Sequence, residues 1–167
     1  RRTGDLPLNG LGELCAYDLI KPVEAMLAYH YELSRQWPHP TEALEINLPV
    51  QLAGCACENL EDWLDGLRRP DCEPPDPDAS QRDGYARWEF YHKPIMSPNG
   101  RGIARAHSLI GLWVRHLAGC AQGLSLASCL VAPDGVARLQ PLDRQAAATW
   151  LNDIIALWWT GLARPLP

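Results

Sequence analysis

Aspartate and glutamate are absent from residues 90–133, a stretch of 44 residues in a chain that is acidic overall. With 20 carboxylates in 167 residues, about five belong in a stretch of that length. The window holds Lys93, Arg101, Arg105 and Arg115 together with His92, His107 and His116. Its formal charge is +4, whereas the other 11 Lys and Arg set against all 20 acids leave −9 elsewhere. A basic face on an acidic protein points to an anionic partner met at one surface. Two buried apolar elements that leave little room for acids account for the same gap, so both readings stand at this point.

Other absences narrow the function classes. No run of 18 apolar residues occurs, so no transmembrane helix and no membrane partner are expected. No basic head with an apolar middle marks a secretory signal. The net charge of −5 argues against a small, wholly basic nucleic-acid binder. There is no G-x-S-x-G elbow, phosphate-binding loop or dinucleotide motif, so neither nucleophilic hydrolysis nor ATP binding is expected. Six cysteines, at positions 15, 55, 57, 72, 120 and 129, are scattered along the chain. Cys15 and Cys120 sit in helical patterns as small apolar residues do. The set reads as reduced thiols of a cytoplasmic protein rather than a disulfide framework. Cys55-x-Cys57 followed by Cys72 lacks the C-x2-C pairs of structural zinc and places both sulfurs on one side of a strand. No metal site and no cofactor are expected.

What is present is a folding chain. An apolar content of 47% and seven tryptophans fit one domain over 1–167, since chains of this size bury roughly 70% of their unfolded surface. The chain opens at Arg1 without a methionine and stops at Pro167, which reads as a piece of a larger protein. Residues 11–37 read as a helix whose apolar face carries Leu19, Val23, Met26, Leu27, His30 and Leu33, with Pro22 kinking it or starting a second helix. His30 on that face reads as a hydrogen-bonded core residue. Residues 44–57 alternate as strand, with Ile46, Leu48 and Val50 on one side and a second apolar run from Leu52 to Cys57. Pro49 marks an edge or a break.

Residues 58–83 hold nine acids, three arginines and four prolines. That composition predicts a mobile, solvated insertion, with Leu60, Trp63, Leu64 and Leu67 forming a short helix at its start. Tyr85–Tyr91 reads as a strand and Ser97-Pro98-Asn99-Gly100 as a turn. Ile103, Ala106, Ile110, Trp113, Val114 and Leu117 mark a second helix. Leu126–Val131 and Val136–Leu139 read as a hairpin turning at Pro133-Asp134-Gly135. Asp143 caps a last helix that Gly161 and Pro165 close. The predicted class is α/β, a small mixed sheet flanked by helices.

That element order is also the order of metal-dependent nucleases, which need an acid on one central strand and an acid-x-Lys pair on the next. Here Gly54 is followed by Cys55, Ala56 and Cys57 where the first acid belongs. Glu89 is followed at +2 by Tyr91, and Lys93 lies too far along. The scaffold order fits a nuclease and the residues do not.

Gly4-Asp5-Leu6-Pro7 with Gly10-Leu11-Gly12-Glu13 resembles an entry motif of the C-terminal region of the exodeoxyribonuclease V gamma subunit (RecC) family. Gln51-Leu52-Ala53-Gly54 and Ala86-Arg87-Trp88 look like its sheet strands. Leu112-Trp113-Val114-Arg115-His116-Leu117 with Cys120-Ala121 is similar to its tryptophan–histidine–leucine helix. Pro141-Leu142, the alanines at 146–148, Leu151, Gly161 and Pro165-Leu166 follow the spacing of its final helix and exit. The resemblance spans residues 4–167 apart from 58–83, where an acidic, proline-rich segment replaces an expected short connection.

The resemblance implies a degenerate PD-(D/E)xK nuclease-like core without catalytic residues. It further implies membership of a three-subunit helicase–nuclease that processes double-strand breaks. In that family the gamma subunit guides separated strands at the fork, takes part in recognising Chi, and docks against the alpha and beta subunits. The expected DNA contacts are Arg87, Lys93, Arg101, Arg105 and Arg115, sequence-tolerant and electrostatic. Trp88 and Tyr91 are candidates to stack on unpaired bases, and serve equally as core on the strand. The rivals are an active magnesium-dependent nuclease using Glu58 or Glu89, and a protein-docking module that never touches DNA.

Overall fold

A computed structural model describes residues 10–51, 58–71, 84–97 and 102–163. Helix α1 runs Gly10–Gln36, and Pro22 sits inside it without ending it. Short strand β1 (His39–Pro40) and strand β2 (Leu44–Val50) follow. Strands β3 (Glu58–Leu64), β4 (Arg68–Arg69) and β5 (Tyr85–Phe90) come next. Helix α2 (Ala106–Ala121) leads to β6 (Leu126–Ala132), β7 (Gly135–Leu139) and helix α3 (Arg144–Ala163). The main sheet has the order β1-β4-β5-β6-β7. Within it β5 and β6 are parallel, joined by the α2 crossover, and the other pairs are antiparallel. The α/β class and the mixed sheet are as the sequence predicts.

Strand β6 shows how the layers form. Its sequence is apolar or small throughout, as a strand covered on both faces requires. Successive side chains alternate sides. Leu126 packs with Leu117 and Cys120 of α2, and Leu130 and Ala132 with Leu112. Cys129 and Val131 pack on the opposite face with Leu33 of α1. The β6–β7 turn is also a clamp, because Asp134 accepts the N–H groups of Ile95 at 2.9 Å and Met96 at 2.8 Å. Asp143 caps α3 as expected, accepting from the N–H groups of Gln145 and Ala146 at 2.9 and 3.1 Å.

Four expectations need correction. Residues 58–64 are not the start of a solvated insertion or a short helix. They form β3, paired with β2 along its full length, Leu48 opposite Leu60 and Leu44 opposite Leu64. Leu60 and Leu64 satisfy a helical spacing and a period of two alike, and pairing with β2 decides between them. Second, Ile103 precedes α2 and is exposed. Third, α3 continues through Gly161 to Ala163. Fourth, the apolar face of α1 is mostly unburied. Only Gly12 and Leu33 are buried in 27 residues, and Leu19, Val23 and Leu27 are more than half exposed. The Cys55-x-Cys57 pair, Cys72, the 72–83 part of the acidic segment, the turn at 98–100 and Arg101 lie outside the described residues.

Candidate nucleic-acid interface

Alternation along β5 sorts the predicted contact residues onto two faces. Trp88 points toward α1, where it packs beside Leu33, Cys129 and Val131. Its indole N–H donates to His30 Nδ1 at 2.9 Å, and the Arg68 guanidinium lies 5.3 Å from its ring centre. His30 is thus the hydrogen-bonded partner its position on α1 predicted. Arg87 and Glu89 point the other way, and Tyr91 packs with the cluster of Ile95, Leu112 and Leu130 on the α2 side. Trp88 and Tyr91 therefore do not form one stacking platform. Trp88 instead borders an open cleft of about 240 Å³ with Thr41, Leu67 and Arg68.

Arg87 is 6% exposed, so it is not a surface donor. Its Nη1 donates to Glu89 Oε1 at 2.5 Å, its Nε to the Asp65 carbonyl oxygen at 3.2 Å, and its Nη2 lies 3.5 Å from Asp65 Oδ1. Burying a guanidinium is tolerable only with such partners. Arg115, reaching from α2, donates to the same Glu89 oxygen at 2.8 Å with 56% of its side chain exposed. Lys93 is exposed. Arg105, also exposed, donates from Nε to the Met96 carbonyl at 3.2 Å. Arg105 immediately precedes α2 and Arg115 lies ten residues on, about 15 Å along the axis at 1.5 Å per residue. The outward positions of α2 between them, His107, Ile110 and Gly111, carry no negative charge. Of the predicted basic set, Lys93, Arg105 and Arg115 are accessible to a phosphate backbone, and Arg87 is structural.

Glu89 is one of the two acids, with Glu58, that the rival reading of an active nuclease invokes. Two guanidinium groups already occupy one of its oxygens, and Tyr91, two residues on, is half-buried against the Ile95–Leu112–Leu130 cluster. Among the described residues no three His, Cys, Asp or Glu side chains group to hold a metal ion. Sequence reasoning missed the Arg87–Glu89 pair. Its signal was the Arg-x-Glu spacing, which sets opposite charges side by side on one strand face.

His116, Ser128 and Cys120 look like chemistry and are core. His116 is fully buried. Its Nε2 lies 3.0 Å from the Gln140 carbonyl and so carries the proton, which leaves Nδ1, 3.0 Å from Ser128 Oγ, to accept. Burial lowers the His116 pKa, against the smaller upward effect of the Gln140 carbonyl. Burial raises the Cys120 thiol, which also lies 3.7 Å from His116 Nε2. A buried thiol with a raised pKa is unreactive. The pair ties α2 to β6 and to the segment after β7.

Two helices present large apolar side chains that stay exposed among the described residues. Leu11, Leu14, Tyr17, Leu19, Ile20, Val23, Leu27 and Tyr31 of α1 are each at least half exposed. Leu157, Trp158 and Leu162 of α3 are exposed to a similar degree. No helix among the described residues is long and apolar enough to cross a membrane.

A search of curated proteins returned no match. Compared with protein families, residues 1–167, the whole chain, match the RecC C-terminal domain. The chain belongs to the RecC C-terminal domain family.

Proposed function

We propose that this domain is a non-catalytic part of RecC that guides DNA strands and docks against the partner subunits of exodeoxyribonuclease V during double-strand-break repair and recombination. Its family makes it part of a subunit of that complex. The observation that carries the non-catalytic reading is the state of Glu89, held by Arg87 and Arg115 where a nuclease-like core would need a carboxylate open to a divalent ion. A degenerate PD-(D/E)xK-type core is the reading this supports.

DNA guidance rests on Lys93, Arg105 and Arg115, exposed cations in a stretch without acids. Such contacts are sequence-tolerant and release counterions when they form. Docking rests on α1 and α3, each of which leaves several large apolar side chains exposed, the kind of surface that protein partners cover. The same faces favour a second reading, a docking module without DNA contact.

A salt titration of single-stranded DNA binding separates the two. Three phosphate contacts give a slope of log K against log salt near −2, at about −0.7 per contact for single strands. Replacing Lys93, Arg105 and Arg115 by alanine flattens that slope. Absence of salt-dependent binding at low ionic strength leaves the docking module as the function.

A further inference from the structure

The two edges of the main sheet differ. Strand β1, at one end, is two residues long and contains Pro40, which blunts it as a template for further pairing. Strand β7, at the other end, has five residues, no proline and a single charge, Arg138. Ala132 and Gly135 pair across the two-residue turn Pro133-Asp134, and Leu130–Ala137 and Ser128–Leu139 are the next pairs of the same kind. The residues between them, Val136 and Arg138, therefore aim their N–H and C=O groups away from β6. Among the described residues no backbone group of another segment bonds to them. Gln140, next in that row, gives its carbonyl to His116 and ends the free edge. Val136 and Arg138 also share the α1 face of the sheet, opposite Val131 and Cys129. An open cleft of about 310 Å³ lies between them and Tyr29, Glu32 and Gln36 of α1. A second, of about 180 Å³, continues past Arg138 toward Gln140 and Trp37.

We propose that the free edge of β7 takes an extended segment of a partner protein as a sixth strand, with a carboxylate of that segment opposite Arg138. The outward main-chain groups of Val136 and Arg138 supply the pairing, and the two clefts receive alternate side chains of the added strand, the division of labour by which sheet edges bind peptides. Same-face residues two apart on a strand are about 7 Å apart, so one cleft on each side of Arg138 matches that period. Directly opposed side chains of opposite charge favour such a pairing, and like charges oppose it. Arg138 is exposed and is the only charge on β7, so it selects an acidic segment. A second copy of β7 brings no carboxylate to meet it. This edge is separate from the exposed stripes of α1 and α3, and the inference goes beyond docking through them.

The test reads fluorescence anisotropy of a labelled heptapeptide, threonine alternating with valine and glutamate replacing the central valine. Its controls carry lysine at the centre, or N-methyl groups on the backbone nitrogens of one edge. The full wild-type chain is compared with Val136→Pro and Arg138→Glu. Proline at 136 removes an outward N–H and leaves the β6 ladder intact. Expected are binding of the glutamate peptide by the wild type, binding about fivefold weaker for the lysine peptide, and none for the N-methylated one. Arg138→Glu should reverse the preference between glutamate and lysine, and Val136→Pro, folded by circular dichroism, should bind neither. Should Val136→Pro fail to fold, the reversal in Arg138→Glu decides. No binding to the wild type at about 1 mM peptide, equal binding of the N-methylated peptide, or an unchanged preference in Arg138→Glu overturns the proposal. So does a wild-type dimer in sedimentation that Val136→Pro converts to monomer, since a second copy then occupies the edge. The assay contains neither DNA nor partner subunits, so its failure leaves the guidance-and-docking reading standing.

Discussion

Arg87 and Arg115 share one carboxylate oxygen but differ in what losing that oxygen costs. Arg87 is buried, so neutralising Glu89 leaves it with the more distant and largely exposed Asp65 carboxylate at 3.5 Å. Glu89→Gln is therefore expected to destabilise by about 1–3 kcal/mol, the range for a lost bond to a charged group. Arg115→Ala should cost under about 1 kcal/mol, as exposed ion pairs do. Urea midpoints with an unchanged slope check both values. His116 makes a pH-dependent counterpart. Its folded pKa lies below the ordinary value, so the unfolded chain binds the proton more readily. The associated stability is fully present above about pH 6.5, the unfolded value. It is lost as pH falls from there through the folded pKa. Urea unfolding at pH 7.5 and 5.5 should show this loss in the wild type and a smaller one in His116→Gln, whatever the variant's starting stability.

At the level of elements, the long helices and the β6–β7 hairpin were legible because their signals are local. Leu126–Ala132 is apolar throughout, Pro133-Asp134-Gly135 turns, and Asp143 caps. Strand β3 was not legible, because Leu60 and Leu64 fit a helix as well as a strand, and the seven residues of β2 that choose between them lie across a gap in sequence. The composition of 58–83 hid it further, since Glu61 and Asp62 sit exposed on a strand that buries Leu64. The α1 stripe was read correctly as apolar, but no sequence pattern tells whether such a face packs inside the chain or against another protein. The structure leaves it open from Leu11 to Tyr31. Leu19→Glu and Leu27→Glu together should therefore change folding stability by no more than about 0.5 kcal/mol per site, as surface substitutions do. They should nonetheless abolish co-purification with the partner subunits. A large loss of stability would mean that the face packs within the chain.

Across the whole molecule, the acid-free window resolves into two parts with different causes. Its apolar positions, such as Leu112, Leu117 and Leu130, are core and leave no room for acids. Its outward positions, Lys93, Arg105, His107 and Arg115, are exposed and still carry no acid, which core packing does not require. The sequence placed Arg87 with the outward set because spacing alone does not tell which strand face is covered by α2. The fold moves it inside, onto the carboxylate that a nuclease would need free. The central claim is that this carboxylate does no chemistry. The most direct test incubates the purified chain with single-stranded DNA and Mg²⁺ or Mn²⁺, beside Glu89→Gln. The account predicts no metal-dependent cleavage by either protein. Cleavage by the wild type that disappears in a folded Glu89→Gln would contradict it.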